Sequence, residues 1–405
     1  MKTDWHRRLF VGLAPAVALA ALLAPGSAIA EDHYKVFLDM SYSGNTWQAA
    51  AANGIKALAS TPPYDKSVEF KTVISGTDVQ HQISDLQSMV ASGANAIILY
   101  PLSPTALNRV IKQACAKGVV VFAYDSTVTE PCAHNVSNIT AHYGANTAQW
   151  MVNQMGGKGE VIFNHGVAGT TVTKTYDEQA YGVFRKYSGI KIVGDFYGNW
   201  NDATSQEEVA KILAAHPNVD GIWTVDGTYG SLQAVINKRP DRLVTIAGQS
   251  NNGYRLAIAD PAMQAKGLKG VSSSAGPAVG GYAFKLMMEV LTGKKKLSGN
   301  NIEYPLPWVE PKDVKVCKGD SFVDGCNTFP ADKVPPLFID TALNGELLPE
   351  LSLKSVQDGT PTPGATIQPL PEVHNADNLA GINCGSCETA KDWLEPNKVK
   401  PIPVP

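Results

Sequence analysis

Short apolar, β-branched runs alternate with segments of helical periodicity along most of this 405-residue chain, and that alternation leaves few folds open. Strand-like runs begin near Lys35, Val68, Asn95 and Val119, and again near Glu160, Lys191, Gly221 and Leu243. Between them Ile83, Leu86 and Val90, then Leu107, Val110, Ile111 and Ala114, then Val209, Ile212 and Leu213, recur at helical spacing. Strands joined through helices pair in parallel, and parallel sheets must be covered on both faces. The intervals between strand starts are about 33, 27 and 24 residues in the first half and about 31, 30 and 22 in the second. Equal timing predicts an α/β chain of two similar doubly wound parallel-sheet lobes, with a cleft where the carboxyl ends of their strands meet. A further strand (267–274), a helix (277–291) and one more strand (302–309) are placed to carry the chain back across that gap. We therefore expect an N-terminal lobe of residues 31–140 plus 275–301 and a C-terminal lobe of 141–274 plus 302–330. From 331 to 405 the composition shifts to Pro, Gly, Asn and Thr, as in Gly359-Thr360-Pro361-Thr362-Pro363-Gly364, which predicts a loosely structured extension.

The first thirty residues read as an address. Lys2, Arg7 and Arg8 precede an apolar run from Leu9 to Leu23, and Ser27-Ala28-Ile29-Ala30 closes it with small residues. This is the pattern of a cleaved secretory signal, which places the mature protein in the periplasm. Arg7-Arg8-Leu9-Phe10 also carries a twin-arginine element, so the export route stays open. No later apolar run approaches the length of a membrane span, so no stable membrane insertion is expected. With 34 Lys plus Arg against 37 Asp plus Glu, the net charge of −3 provides no field for nucleic acid. All six cysteines lie beyond the leader, where an oxidising compartment lets them pair. Spacing favours Cys115 with Cys132, Cys317 with Cys326, and Cys384 with Cys387, among fifteen possible connectivities.

Several segments then occur in a telling order. Asn95-Ala96-Ile97-Ile98-Leu99-Tyr100-Pro101, the strand ending Phe122-Ala123-Tyr124-Asp125, Asp220-Gly221-Ile222-Trp223-Thr224-Val225-Asp226-Gly227, and Gly248-Gln249-Ser250-Asn251-Asn252-Gly253-Tyr254 follow one another. Their sequence resembles that of the periplasmic sugar-binding proteins of ABC importers, the ribose-binding type, over about residues 35–309. The resemblance implies a two-lobed clamp joined by a three-strand hinge, binding without chemistry, acting as a monomer, needing no cofactor and delivering its ligand to an ABC permease. A sensor module that presents the bound sugar to a chemoreceptor or histidine kinase would use the same cleft. The resemblance does not explain the extension.

A sugar offers apolar C–H faces and a rim of hydroxyls, so its site needs flat aromatic surface beside groups that accept and donate hydrogen bonds. The loop after the first strand supplies Ser41, Tyr42, Asn45, Trp47 and Gln48, of which the resemblance puts Asn45, Trp47 and Gln48 at the ligand. It makes Asp125 a sugar ligand at a strand end and gives Asp226 the matching place in the other half. Tyr100 stands where ribose binders carry a smaller amide and is expected to narrow the site. Gln179 stands where relatives usually carry Arg, with Arg185 or Lys174 as conceivable substitutes. Gln249, Ser250 and Asn251 follow the strand where relatives often carry an acid. Lost charge with retained polarity points to a neutral polyhydroxylated ligand.

Other patterns carry less. Cys384-Gly385-Ser386-Cys387 fits a closed structural pair, a metal site or a redox dithiol, but the flanking Pro-rich sequence offers no thioredoxin-like frame. No His-Glu-x-x-His, phosphate-loop or Gly-x-Ser-x-Gly pattern is present.

Overall fold

A computed structural model describes residues 33–138, 142–319, 325–371, 373, 375 and 399–403. The segment read as a secretory leader and the Cys384/Cys387 pair lie outside the described residues.

The first half folds as β1 (Tyr34–Met40), α1 (Thr46–Ala59), α2 (Tyr64–Ser67), β2 (Val68–Ile74), α3 (Val79–Ala91), β3 (Ala96–Leu99), α4 (Asn108–Ala116), β4 (Val120–Tyr124) and β5 (His134–Ser137). The second half runs α5 (Tyr143–Met155), β6 (Lys158–His165), α6 (Thr171–Phe184), β7 (Gly189–Tyr197), α7 (Asp202–Ala215), β8 (Gly221–Thr224), α8 (Thr228–Lys238), β9 (Thr245–Gly248), α9 (Asn252–Ala259), α10 (Pro261–Ala265) and β10 (Lys269–Ser273). After α11 (Ala278–Leu291) come β11 (Asn301–Glu303), β12 (Trp308–Val309) and the short α12 (Leu353–Asp358). Helix starts follow local chemistry, since the side chains of Asn45, Asp78, Thr170 and Asn201 accept from the first free amides of α1, α3, α6 and α7.

Two six-stranded sheets result, in the orders β11-β5-β4-β3-β1-β2 and β12-β10-β9-β8-β6-β7. Every pairing is parallel except that of β12 with β10. The chain passes between sheets three times: after β5, after β10, and between β11 and β12. The run 302–309, read from sequence as one strand, is in fact two short strands in different sheets. Pro305 and Pro307 cannot donate to a ladder, so pairing stops and the chain crosses there. Helices α5 and α11 are buried on most of their surface, each lying under its own sheet. Two of the expected disulfides are present, Cys115–Cys132 and Cys317–Cys326.

The extension departs most from expectation. Residues 331–371 form no regular layer, yet Val334, Phe338, Leu343, Leu353 and Val356 bury themselves with Phe329, Cys317 and the α1 residue Ala50. Lys285 on α11 donates to Glu350 at 2.7 Å, and both side chains are 1 % exposed. Proline-rich composition conceals this order because the apolar residues are spaced irregularly, each fitted to a groove of the finished body rather than to a face of its own helix.

Candidate ligand-binding site

The carboxyl ends of both sheets open onto one shared cavity. From the first sheet's side come Asn45, Trp47 and Gln48 at the start of α1, Tyr100 after β3, and Asp125 after β4. From the second side come Tyr143 on α5, Val172 and Tyr176 on α6, Trp200 after β7, Val225 and Asp226 after β8, and Gln249 after β9. Ser274 and Ala275, in the second crossing, complete the wall.

Aromatic rings set its shape. Trp47 lies parallel to Tyr124 at 6.4 Å and edge-on to Tyr100 at 6.0 Å, and its indole N–H donates to the Ala275 carbonyl at 2.6 Å. Trp200 meets Tyr100 edge-on at 6.0 Å from the opposite lobe, and the Asn45 amide donates to the Trp200 carbonyl at 3.3 Å. Thr171 of α6 bonds Ser126 Oγ at 3.0 Å and the Thr127 amide at 3.1 Å across the same gap. The jaws are therefore closed on each other. Trp200 reaches this place through two successive left-handed residues, Asn199 at φ 53° and Trp200 at φ 54°. Such backbone costs about 1–2 kcal/mol outside glycine, a strain typical of functional segments.

The polar atoms are mostly acceptors left without partners: Gln48 Oε1, Asp125 Oδ1 and Gln249 Oε1 are buried and unbonded. Tyr100 donates to the other Asp125 oxygen at 3.2 Å. Burial drives the Asp125 carboxyl up to about 7, against which the Tyr100 bond pulls only partly. Asp226 is pushed up to about 8, first by burial and then by the neighbouring charge of Asp202, with its bond from the Gly227 amide opposing. Among the described residues, no Lys, Arg or His lines the cavity.

Residues 36–295 match the model of the periplasmic binding protein domain. This chain belongs to that family. The chain is similar to the xylitol-binding protein of Mycolicibacterium smegmatis, 27% identical over 165 residues, an alignment that covers 40% of this chain and about half (47%) of that protein. The galactofuranose-binding protein of Escherichia coli is 24% identical over 57% of this chain and 72% of its own length. A solute-binding protein of an ABC transporter from Thermobispora bispora shares the fold with a TM-score of 0.64 at 23% identity, covering 84% of this chain and 99% of that one.

Within this periplasmic binding protein, seven of the residues singled out from sequence line the cavity: Asn45, Trp47, Gln48, Tyr100, Asp125, Asp226 and Gln249. Asn45 is largely occupied, since its oxygen accepts from the Gln48 amide at 2.8 Å while its nitrogen bridges the lobes. Four others stand away from it. Tyr42 lies on the preceding loop, half-buried, outside the lining. Gln179 is buried between α5 and α6, accepting from the Gly144 amide at 3.0 Å. Ser250 sits behind the wall, 2.8 Å from Ser274 Oγ, and Asn251 precedes α9 and accepts from the Tyr229 amide at 3.4 Å. Neither conceivable substitute reaches the cavity: Lys174 is exposed beside Glu178, and Arg185 stacks over Tyr181 at 5.3 Å. Tyr143, Tyr176, Trp200 and Ser274 were not singled out from sequence. Val225, adjacent to Asp226, lay inside a segment already marked, and Ser274 ended a run read as a strand, but neither was named as a site residue.

Proposed function

We propose that this binding protein captures a neutral polyhydroxylated molecule, a monosaccharide or polyol, between its lobes and hands it to an ABC permease. One observation carries the reading: aromatic walls enclose buried acceptor atoms that have no partner and no cation beside them among the described residues. Buried acceptors without donors are costly, about 1–3 kcal/mol each, so the occupant must bring donors of its own. Hydroxyl groups do this, and their carbon skeleton presents the apolar faces that Trp47 and Trp200 can cover. An anion would enter beside the Asp125 and Asp226 carboxyls with no Lys, Arg or His among the described lining residues to neutralise it.

Two relatives bear names for the binding of a polyol, xylitol, and a monosaccharide, galactofuranose.

Calorimetry of the dialysed protein against xylitol, ribitol, D-ribose, L-arabinose, D-galactose and glycerol is expected to give one-to-one binding to at least one compound. Mass spectrometry of the molecule carried through purification supplies an independent identification. The proposal fails if no monosaccharide or polyol binds and the carried molecule is charged. Delivery is read separately, as uptake of the bound compound lost on deleting the gene and restored by the full chain.

A further inference from the structure

We propose that the C-terminal extension is a working part of the clamp: a strap that crosses between the lobes, holds them closed, and fixes the cavity wall through Thr341. It lies beyond residues 36–295, the part matched to the family domain.

The strap begins on the second lobe. The amides of Asn252 and Gly253 donate to the Phe338 and Pro336 carbonyls at 2.7 and 2.9 Å, and the Asp340 amide donates to the Ser250 carbonyl at 2.9 Å. It grips the first lobe over the same few residues, where Thr46 Oγ1 donates to the Leu337 carbonyl at 3.1 Å and Phe338 packs in the cluster that includes Ala50. It then runs along the first lobe. Asn53 donates to the Val356 and Gln357 carbonyls at 3.2 and 2.8 Å, Lys285 pairs with Glu350, and the Ile367 amide reaches the Pro62 carbonyl at 2.9 Å. Separation of the lobes therefore pulls against the paired grips of residues 336–340, held through Ser250, Asn252 and Gly253 on one lobe and through Thr46 on the other, besides bending the three crossings of the core.

Thr341 joins the strap to the cavity. Its hydroxyl lies 2.7 Å from Ser250 Oγ and 3.2 Å from Ser274 Oγ, and those two are 2.8 Å apart. The three hydroxyls form a closed, buried triangle made of a second-lobe strand end, a crossing and the strap. Ser274 lines the cavity, and Trp47 is anchored on the next residue, Ala275. The strap also leaves no room beside the crossing: a Cβ on Gly276 would stand 2.4 Å from the Thr341 carbonyl. Thr341 is thus a positioning residue for the wall.

The test uses the full chain, dialysed and without added ligand, so it does not depend on which compound the cleft takes. Ser88 on α3 and Ala214 on α7, both exposed and on different lobes, are replaced by p-acetylphenylalanine and spin-labelled, and the interlobe distance distribution is measured. The parent is expected to be dominated by short distances. Thr341→Val removes the shared hydroxyl at nearly constant shape, and Thr46→Val releases the first-lobe grip on Leu337 at the surface. Each is expected to shift the distribution to longer distances, lowering the closed-to-open ratio by about 2- to 10-fold, the range for one lost hydrogen bond. Thr341→Ser, which keeps the hydroxyl, should follow the parent. Distributions of Thr341→Val and Thr46→Val that overlay the parent overturn the proposal, as does a Thr341→Ser variant as open as Thr341→Val.

Discussion

Replacing Asp125 by Asn should make the protein more stable at alkaline pH and worse at binding. The structure gives both signs. The carboxyl is 4 % exposed, and burial moves it from 3.8 to about 7. A folded-state value above the unfolded one means that the contribution is intact below about pH 4, declines as the unfolded chain ionises, and is fully lost once pH passes about 7. At 1.36 kcal/mol per pH unit, the difference amounts to about 4 kcal/mol. Asn is the neutral analogue and escapes this loss. It can still accept from Tyr100, and it tolerates the φ of 60° at position 125 better than most residues. With about 2.1 cal/mol/K per residue over a body of about 370 residues, 4 kcal/mol corresponds to about 5 °C in Tm. Melting curves of parent and Asp125→Asn are therefore expected to coincide near pH 4 and to separate by about 5 °C at pH 8, with the variant higher. Asp39 and Asp226, also raised by burial, titrate in both proteins and cancel in the comparison. Under the proposed function the variant, whose amide oxygen is taken by Tyr100, loses an acceptor facing the ligand, worth about 0.5–1.5 kcal/mol for a neutral hydrogen bond, a roughly 2- to 10-fold fall in affinity. A constant Tm difference from pH 4 to pH 9 would refute the claim that burial keeps this carboxyl protonated.

Trp200→Ala should weaken both closure and ligand binding, whereas Trp200→Gly, with no more side chain to offer, should be about 1 kcal/mol more stable than Trp200→Ala in urea because position 200 is left-handed. His165 places its two ring nitrogens 2.7 Å from Asp177 and from Asp195; burial pulls the imidazole down, but the two carboxylates together hold it above its ordinary value. Its stabilisation is complete below about pH 6.5 and fades as pH rises through that higher value, so His165→Asn should cost about 1–2 kcal/mol at pH 6, reduced by the half-exposed Asp195, and less at pH 9. Lys285→Met should cost about 3–5 kcal/mol by stranding Glu350, and pairing it with Glu350→Leu should recover most of that loss in chemical denaturation.

The two-lobed plan was legible because parallel strands buried on both faces must be written as continuous apolar runs, and their spacing counts the helices between them. Strand ends were legible for the same reason: Tyr100, Asp125, Asp226 and Gln249 each follow a run that stops. Trp200 was hidden because it follows the edge strand β7, whose half-buried sequence stops less sharply and whose turn uses Asn199 rather than a glycine at φ 53°. Tyr143 and Tyr176 sit on helices, where orientation depends on how α5 and α6 pack, and Gln179 shows the same difficulty from the other side. It lies one turn along α6 from Tyr176 yet faces the α5 backbone. The extension was illegible because the contacts that anchor it, such as Asn53 with Val356 and Lys285 with Glu350, join residues 303 and 65 positions apart.

The pairing of β5 with β11, Asn135 beside Asn301, has a kinetic consequence. The first sheet cannot be finished until residues 166 positions later are available. Loop closure over such a span precedes the contacts that reward it, so assembly of this sheet is expected to be slow compared with proteins whose neighbours in space are neighbours in sequence. The N-terminal half, although made first, waits with the outer edge of β5 unpaired while the whole second sheet is produced.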